Sequence, residues 1–374
     1  MATPHKIPKS LLLPVAAFSL LSIAAAHLNP PSKSSSVSLL DNWISENLLD
    51  FHSRTQEIAS GINTGLDPAL LLAERKPRVI TVSQDGRGDF TTISAAVASI
   101  PDRNNRRTVI RIGSGIYLEK VRLHRRKPFV TFSGHPDAMP TITFDDTAAE
   151  FGTIDSATVI VESHYFIASN IIFENTAPRP AMGAKGGQAV AMRISGDKAA
   201  FYGCRFLGFQ DTLCDDKGRH LFKDCFIQGT VDFIFGNGRS IYLRCEINSV
   251  ADGTTYITAQ ARTTIADKSG FAFVHCQVTG TGSAYLSRAW KKSSRVVFAY
   301  TYMGSLVNPR GWDDKGFPDR QRTVFYGEYK CMGPGSATNH RVHYVKLLTD
   351  EQVKPYMSLT FIRGKAWLLP HPKL

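Results

Sequence analysis

A short phrase returns three times in the middle of the chain at a nearly constant interval. Phe201-Tyr202-Gly203-Cys204-Arg205-Phe206, Phe222-Lys223-Asp224-Cys225-Phe226-Ile227 and Tyr242-Leu243-Arg244-Cys245-Glu246-Ile247 place their cysteines 21 and then 20 residues apart. Each copy is rich in aromatic and strand-forming residues. A period of this length predicts an all-β solenoid of parallel strands with one coil per repeat, since a single unit can bury its apolar face only against its neighbours. Residues one period apart then sit on adjacent strands, ~4.8 Å apart along the axis.

Two acids keep the same phase. Asp211, in Gly208-Phe209-Gln210-Asp211-Thr212-Leu213, and Asp232, in Val231-Asp232-Phe233-Ile234-Phe235-Gly236, are 21 residues apart. Carboxyls held one coil apart resist ionising together, so one keeps its proton as an acid and the other serves as a nucleophile or base.

The β texture begins near Val79. Val79–Val82 reads as a strand, Asp85-Gly86-Arg87-Gly88-Asp89 as a turn, Thr92–Ile100 as a short helix and Thr108–Ile112 as a strand. Later copies of the phrase, at Cys276 and Tyr300, follow 31 and 24 residues on, so loops are expected to swell in those coils. Leu347–Trp367 reads as helical and then irregular.

Ahead of the solenoid, residues 1–26 read as a secretory signal peptide: Lys6 and Lys9, an apolar run from Leu11, then Ala24-Ala25-Ala26. Residues 27–77 read as a leader with a short helix (Leu40, Trp43, Ile44, Leu48, Phe51), and 78–374 as the β-helix domain. With 43% hydrophobic and 20% charged residues the balance is that of a soluble globular chain. A net charge of +12 suits a polyanion, and secretion points to a wall or matrix polymer rather than nucleic acid. Arg125-Arg126-Lys127 and Lys291-Lys292 could touch it or simply be solvated loops. Of six cysteines, Cys204, Cys225 and Cys245 are expected as an inward ladder of free thiols; Cys214 and Cys331 fall outside its phase.

Gln188-Ala189-Val190-Ala191, the two Asp segments and Leu286-Ser287-Arg288-Ala289-Trp290 occur in one order. With Gly115-Ile116-Tyr117-Leu118-Glu119 and Gly333-Pro334-Gly335 they make the chain resemble the plant pectinesterases (pectin methylesterases), over roughly residues 78–370. The type is the one without a large N-terminal inhibitor-like pro-domain. The resemblance implies a single-stranded right-handed parallel β-helix that removes methyl esters from polygalacturonate, with no metal and no organic cofactor. It implies secretion to the cell wall, action as a monomer, a proteinaceous inhibitor as a partner, and neither nucleic acid nor, once the signal is cleaved, a membrane. By resemblance the catalytic positions fall on Gln188, Gln210, Asp211, Asp232 and Arg288.

Chemistry assigns them roles. No Gly-x-Ser-x-Gly elbow is present, so the nucleophile falls to Asp232, with Arg288 holding its carboxylate and lowering its pKa. Asp211 then gives a proton to methanol and takes one from water. Gln188 and Gln210 donate to the oxyanion. Phe209, Phe233, Phe235 and Trp290 are candidates for stacking on sugar, with Trp290 favoured. Where the family usually has Leu-Gly-Arg-Pro-Trp and a tyrosine after Asp-Thr-Leu, this chain has Ser287, Ala289 and Cys214. Losing the Gly and the Pro would leave Arg288 and Trp290 less firmly held. The competing readings are another pectin-active β-helix enzyme, a lyase or polygalacturonase, and a non-catalytic pectin-binding protein. The adjacent pairs Asp145-Asp146, Asp215-Asp216 and Asp313-Asp314 read better as turns than as a calcium site.

Overall fold

The computed structural model describes residues 65–181 and 183–369; the expected signal peptide, the expected helix within residues 41–60 and most of the expected leader lie outside them. Every strand pairing in the ladders is parallel. Eleven strands, from Arg78–Val82 to Lys346–Leu347, form one continuous sheet. The second sheet is 14-stranded and traces two further walls, one through Ile116–Leu118, Thr141–Phe144, Ile172–Asn175, Arg205–Leu207 and Phe226–Gly229, the other through Val121–Leu123, Val159–Val161, Met192–Ile194, Leu213–Asp215 and Ile234–Gly236. The long strands Glu246–Gln260 and Gln277–Arg288 pass through both walls. Those two strands also take up part of the length expected in swollen loops: the coil grows by extending its β-structure, with an irregularity between Val250 and Thr254.

Inside, side chains stack at the strand spacing. Phe201, Phe222, Tyr242, Phe273 and Phe298 lie face to face, centroids 4.7, 4.7, 4.4 and 4.5 Å apart. Beside this column runs the thiol ladder. Cys204, Cys225, Cys245 and Cys276 are buried and free. The register Glu246↔Gln277↔Tyr302↔Met332 continues the same row through Thr301 to Cys331. Cys331 therefore belongs to the ladder, and the copy assigned to Tyr300 is centred one residue later. Lengthened coils hid both from a fixed period. The residue before each rung turns the corner in the left-handed region: Gly203, Asp224, Arg244, His275, Tyr300 and Lys330, φ 45–58°.

The N-terminal end of the core is plugged by the helix Ile93–Ala98, whose Ile93, Ala96 and Val97 join the main cluster. Thr92 caps it, and the Glu119 carboxylate accepts from the Ile93 and Ser94 N–H groups at 2.9 and 2.8 Å, where an anion suits a helix start. At the other end Lys127 donates to the carbonyls of Val97 and Ala98. This lysine is a helix cap, not a polyanion contact. The helix Pro68–Glu74 and the turns Leu359–Ile362 and Gly364–Ala366 pack on the outer face of the 11-stranded sheet.

Candidate active site

Asp211 and Asp232 occupy the same corner of consecutive coils. Leu213 pairs with Ile234 and Cys214 with Phe235, so the residues two positions earlier fall at equivalent places. Both aspartates are left-handed, φ 66° and 52°, a region costing most L residues roughly 1–2 kcal/mol and tolerated best by Asn and Asp. Ladder bonds hold the corners: the Asp211 N–H donates to Val231 O at 3.0 Å and the Asp232 N–H to Tyr256 O at 2.7 Å. Between them Gly229 admits close packing, since a Cβ there would stand 2.2 Å from Phe233 Cβ and 2.6 Å from Phe209 O.

Both carboxyls are buried, Asp211 8% and Asp232 4% exposed, but their partners differ. Arg288, at the end of Gln277–Arg288, sets Nε 2.8 Å from Asp232 Oδ1 and 3.0 Å from Oδ2, with Nη2 also on Oδ2. Tyr256 lies under this guanidinium at 4.9 Å and Trp290 beside it at 5.6 Å. Among the described residues nothing hydrogen-bonds the Asp211 carboxyl. Burial pushes Asp211 well above the usual carboxylate range, the Asp232 charge pushes it further, and Arg288 opposes both. Asp232 is also raised: burial outweighs the Arg288 hydrogen bonds and charge. The expected lowering of its pKa is thus corrected in sign. The asymmetry survives, because only Asp232 has a cation bound to it.

Gln188 and Gln210 sit on neighbouring coils. The Ala189 N–H donates to Gln210 O at 3.1 Å, and Gln188 O accepts from the Ala148 N–H at 2.7 Å. Both side chains are half-buried, and among the described residues their amides have no hydrogen-bond partner. The site thus brings together two carboxyls of unequal proton affinity, a guanidinium and two uncommitted amides.

A pectinesterase family model matches residues 79–365. The chain belongs to the pectinesterase family. A pectinesterase of Olea europaea is 50% identical over 307 residues, spanning 82% of this chain and 84% of that protein. The solved pectin methylesterase from carrot is 35% identical with a TM-score of 0.72, covering 77% of this chain and 94% of that one. A pectin methylesterase solved in complex with a hexasaccharide is 26% identical with a TM-score of 0.67, covering 78% and 98%.

Against the pectinesterase pattern the aromatic expectations divide. Trp290 is 40% exposed and Phe209 half-buried, so both present ring surface. Phe233 is fully buried in the main core, and Phe235 packs on Ala157, Ile160, Val190 and Cys214. Strand alternation turns Phe233 inward, so packing replaces its expected stacking role, whereas Phe235 stays half-buried beside Cys214.

The expected loosening around Arg288 is also corrected. Ser287 is not in the left-handed region, so no glycine is needed, and its hydroxyl donates to Thr258 O at 3.2 Å. The Ala289 N–H donates to Asp313 O at 2.9 Å, a bond a proline could not make. Arg320 donates to the carbonyls of Ala289 and Trp290. Tyr256 and Arg320 escaped the sequence reading. Tyr256 follows Asp232 by 24 residues, where the period has already lengthened.

Of the adjacent acid pairs, Asp146 bonds Lys120, and Asp313 and Asp314 cap their own turn. Asp215 is no turn residue. It is fully buried, bonded to His220 Nδ1 and Tyr242 Oη.

Proposed function

We propose that this protein is a secreted carboxylic ester hydrolase that removes methyl esters from polygalacturonate, releasing methanol and leaving free galacturonate. The observation that carries the reading is the unequal pair: Asp232 held by Arg288 and Asp211 without a cation, at one corner of adjacent coils. Family membership and the hexasaccharide complex of a related methylesterase support a polysaccharide substrate.

The steps follow from the proton inventory. Asp232, ionised beside Arg288, attacks the ester carbonyl carbon. The oxyanion that forms takes hydrogen bonds from the Gln188 and Gln210 amides, each such donor being worth about 3 kcal/mol in barrier. As the tetrahedral species collapses, the bond to the methoxy oxygen breaks and Asp211 supplies the proton that makes methanol. An anhydride now joins Asp232 to the sugar. Asp211, now a carboxylate, takes a proton from water, the hydroxide attacks the galacturonoyl carbon, and Asp232 leaves with its electron pair restored. Trp290 offers the exposed ring against which a sugar face can lie.

The test is methanol released from highly methylated pectin by the wild type and by Asp232→Ala. Loss of release in the variant is expected; equal rates overturn the assignment of the nucleophile. Unsaturated or shortened chains from the wild type would favour a lyase or polygalacturonase instead.

A further inference from the structure

The corner that leads from the wall through Ile234–Gly236 into the 11-stranded sheet carries arginines without counter-ions. Arg239 opens the strand Arg239–Leu243 and Arg295 the strand Arg295–Ala299. Between these strands runs Gly270–Val274, with Arg239 opposite Gly270 and Phe271 opposite Val296. The Arg295 side chain lies over that glycine, since a Cβ there would stand 2.7 Å from Arg295 Cδ. Arg262 follows the strand Glu246–Gln260 and joins the group through Gln260. Its Oε1 accepts from the Arg262 N–H at 3.1 Å and the Arg295 N–H at 2.8 Å.

Each of the three holds an N–H that is sealed from solvent and unpartnered among the described residues: Arg239 Nε, Arg262 Nη1 and Arg295 Nε. Arg262 is only 2% exposed. Its Nε donates to Ser293 O. Arg295 reaches the Lys268 and Asp267 carbonyls only at 3.4 Å. Arg239 rests on the Phe361 ring, 5.1 Å from its centre. Asp267 is the acid whose charge bears on Arg262 and Arg295. Its oxygens are taken by the Ser269 N–H at 2.9 Å and Asn237 Nδ2 at 3.1 Å. Arginines elsewhere on the solenoid do have carboxylates: Arg219, opposite Arg239, bonds Asp197 at 2.9 Å, and Arg244 bonds Asp224 at 2.7 Å.

Buried cations side by side without a counter-charge are costly. Burial and the Arg295 charge bring Arg262 down to about 10. Burial lowers Arg239 and Arg295 as well, and for Arg239 the charges of Arg295, Arg219 and Arg363 add to it. A guanidinium stays charged at neutral pH, so relief has to come from an anion. Guanidinium forks match the oxygens of phosphate, sulfate and carboxylate. The unpaired N–H groups lie below the surface, where a carboxylate attached to a sugar ring is too bulky to follow. A free, compact oxyanion brings one oxygen to each of several guanidinium groups.

We infer that Arg239, Arg262 and Arg295 form a binding site for a compact oxyanion of the phosphate or sulfate class, apart from the two aspartates. The anion ties the corners of three coils to the C-terminal turn Leu359–Ile362, on whose Phe361 Arg239 rests. It touches no reacting group, and the inference stands whether or not the esterase reading does.

The test uses the whole protein exchanged into chloride buffer. Sodium phosphate and sodium sulfate are titrated by calorimetry and by thermal unfolding, against sodium chloride at matched ionic strength. Phosphate and sulfate are expected to bind at one site per chain with a Kd of about 1 mM or below. At 100 times Kd the melting temperature should rise by about 2–6 °C beyond the chloride control. Arg239→Gln and Arg295→Gln should each weaken binding by about tenfold or more, and Arg262→Met should abolish it. No saturable rise beyond chloride's overturns the site. So does an unchanged Kd in Arg239→Gln and Arg295→Gln, which would place the ion elsewhere. If the deeply buried Arg262→Met fails to fold, the two half-buried variants carry the decision.

Discussion

Arg288 closes on Asp232 with Nε 2.8 Å from Oδ1 and 3.0 Å from Oδ2, so this carboxylate has a fixed cation while its neighbour has none. The clamp orients the oxygens and opposes the protonation that burial favours. Arg288→Lys keeps a charge but loses the two-pronged fork. We expect methanol release to fall by about 10- to 100-fold. The fall should come with an acid limb of the pH–rate profile moved upward, because less opposes the protonation of Asp232. An unmoved acid limb would show that the arginine does not set this charge.

The pH dependence follows from both carboxyls. Asp232 must be ionised, so activity is lost as pH falls through its raised pKa. Asp211 must be protonated, so activity is lost again as pH rises through its more strongly raised one. The pair titrates together, and the two limbs report macroscopic values. Asp211→Asn should remove the alkaline limb and slow release by about 10²–10⁴-fold. A surviving alkaline limb would assign the acid elsewhere.

A second charged group governs stability. His220 is fully buried, with Nδ1 facing Asp215 Oδ1 and Nε2 2.8 Å from Gly196 O, while the Tyr242 hydroxyl donates to Asp215 Oδ2 at 2.8 Å. Two acceptors facing both ring nitrogens require an imidazolium. Burial opposes that charge, but Asp215 and the Gly196 carbonyl outweigh it and raise the His220 pKa. The stabilisation is complete below the unfolded histidine value of about 6.5 and is lost as pH rises through the higher folded value. The melting temperature should therefore fall across that alkaline window, and His220→Gln should flatten the fall. Removing only the partner, with Asp215→Asn, should cost about 3–5 kcal/mol in denaturant unfolding.

The repeat exposed the architecture because three coils in succession keep nearly the same length, and the same regularity put Asp211 and Asp232 in phase. Legibility failed where coil length changed. Cys331 looked out of step because the register runs through Thr301, and Tyr256 was passed over for the same reason. Side-chain direction was the other blind spot. Phe233 and Phe235 flank the site in sequence, yet the strand turns Phe233 into the core and leaves Phe235 half-buried beside Cys214. Ser287 and Ala289 read as losses, yet Thr258 holds the first and Asp313 and Arg320 hold the second. Such partners lie about a coil away, where local sequence carries no sign of them.

The ladder makes a chemical prediction. All six thiols are free, and only Cys331 is less than fully buried. In denaturant without reductant, six should react with a thiol reagent. In the native state reaction should be slow throughout, because five of the six thiols are buried from the reagent and burial pushes the partly exposed Cys331 up to about 12. Fewer than six in denaturant would reveal a disulfide.

Covalent attachment of the sugar to Asp232 can be observed directly. Wild-type enzyme is mixed rapidly with a methylated oligogalacturonate, quenched in acid within the first turnover, digested and weighed by mass spectrometry. A burst of methanol approaching one per enzyme should accompany a galacturonoyl adduct on the peptide that contains Asp232. An adduct on a different residue, or a burst from enzyme lacking that carboxylate, would contradict the assignment of Asp232 as the attacking group.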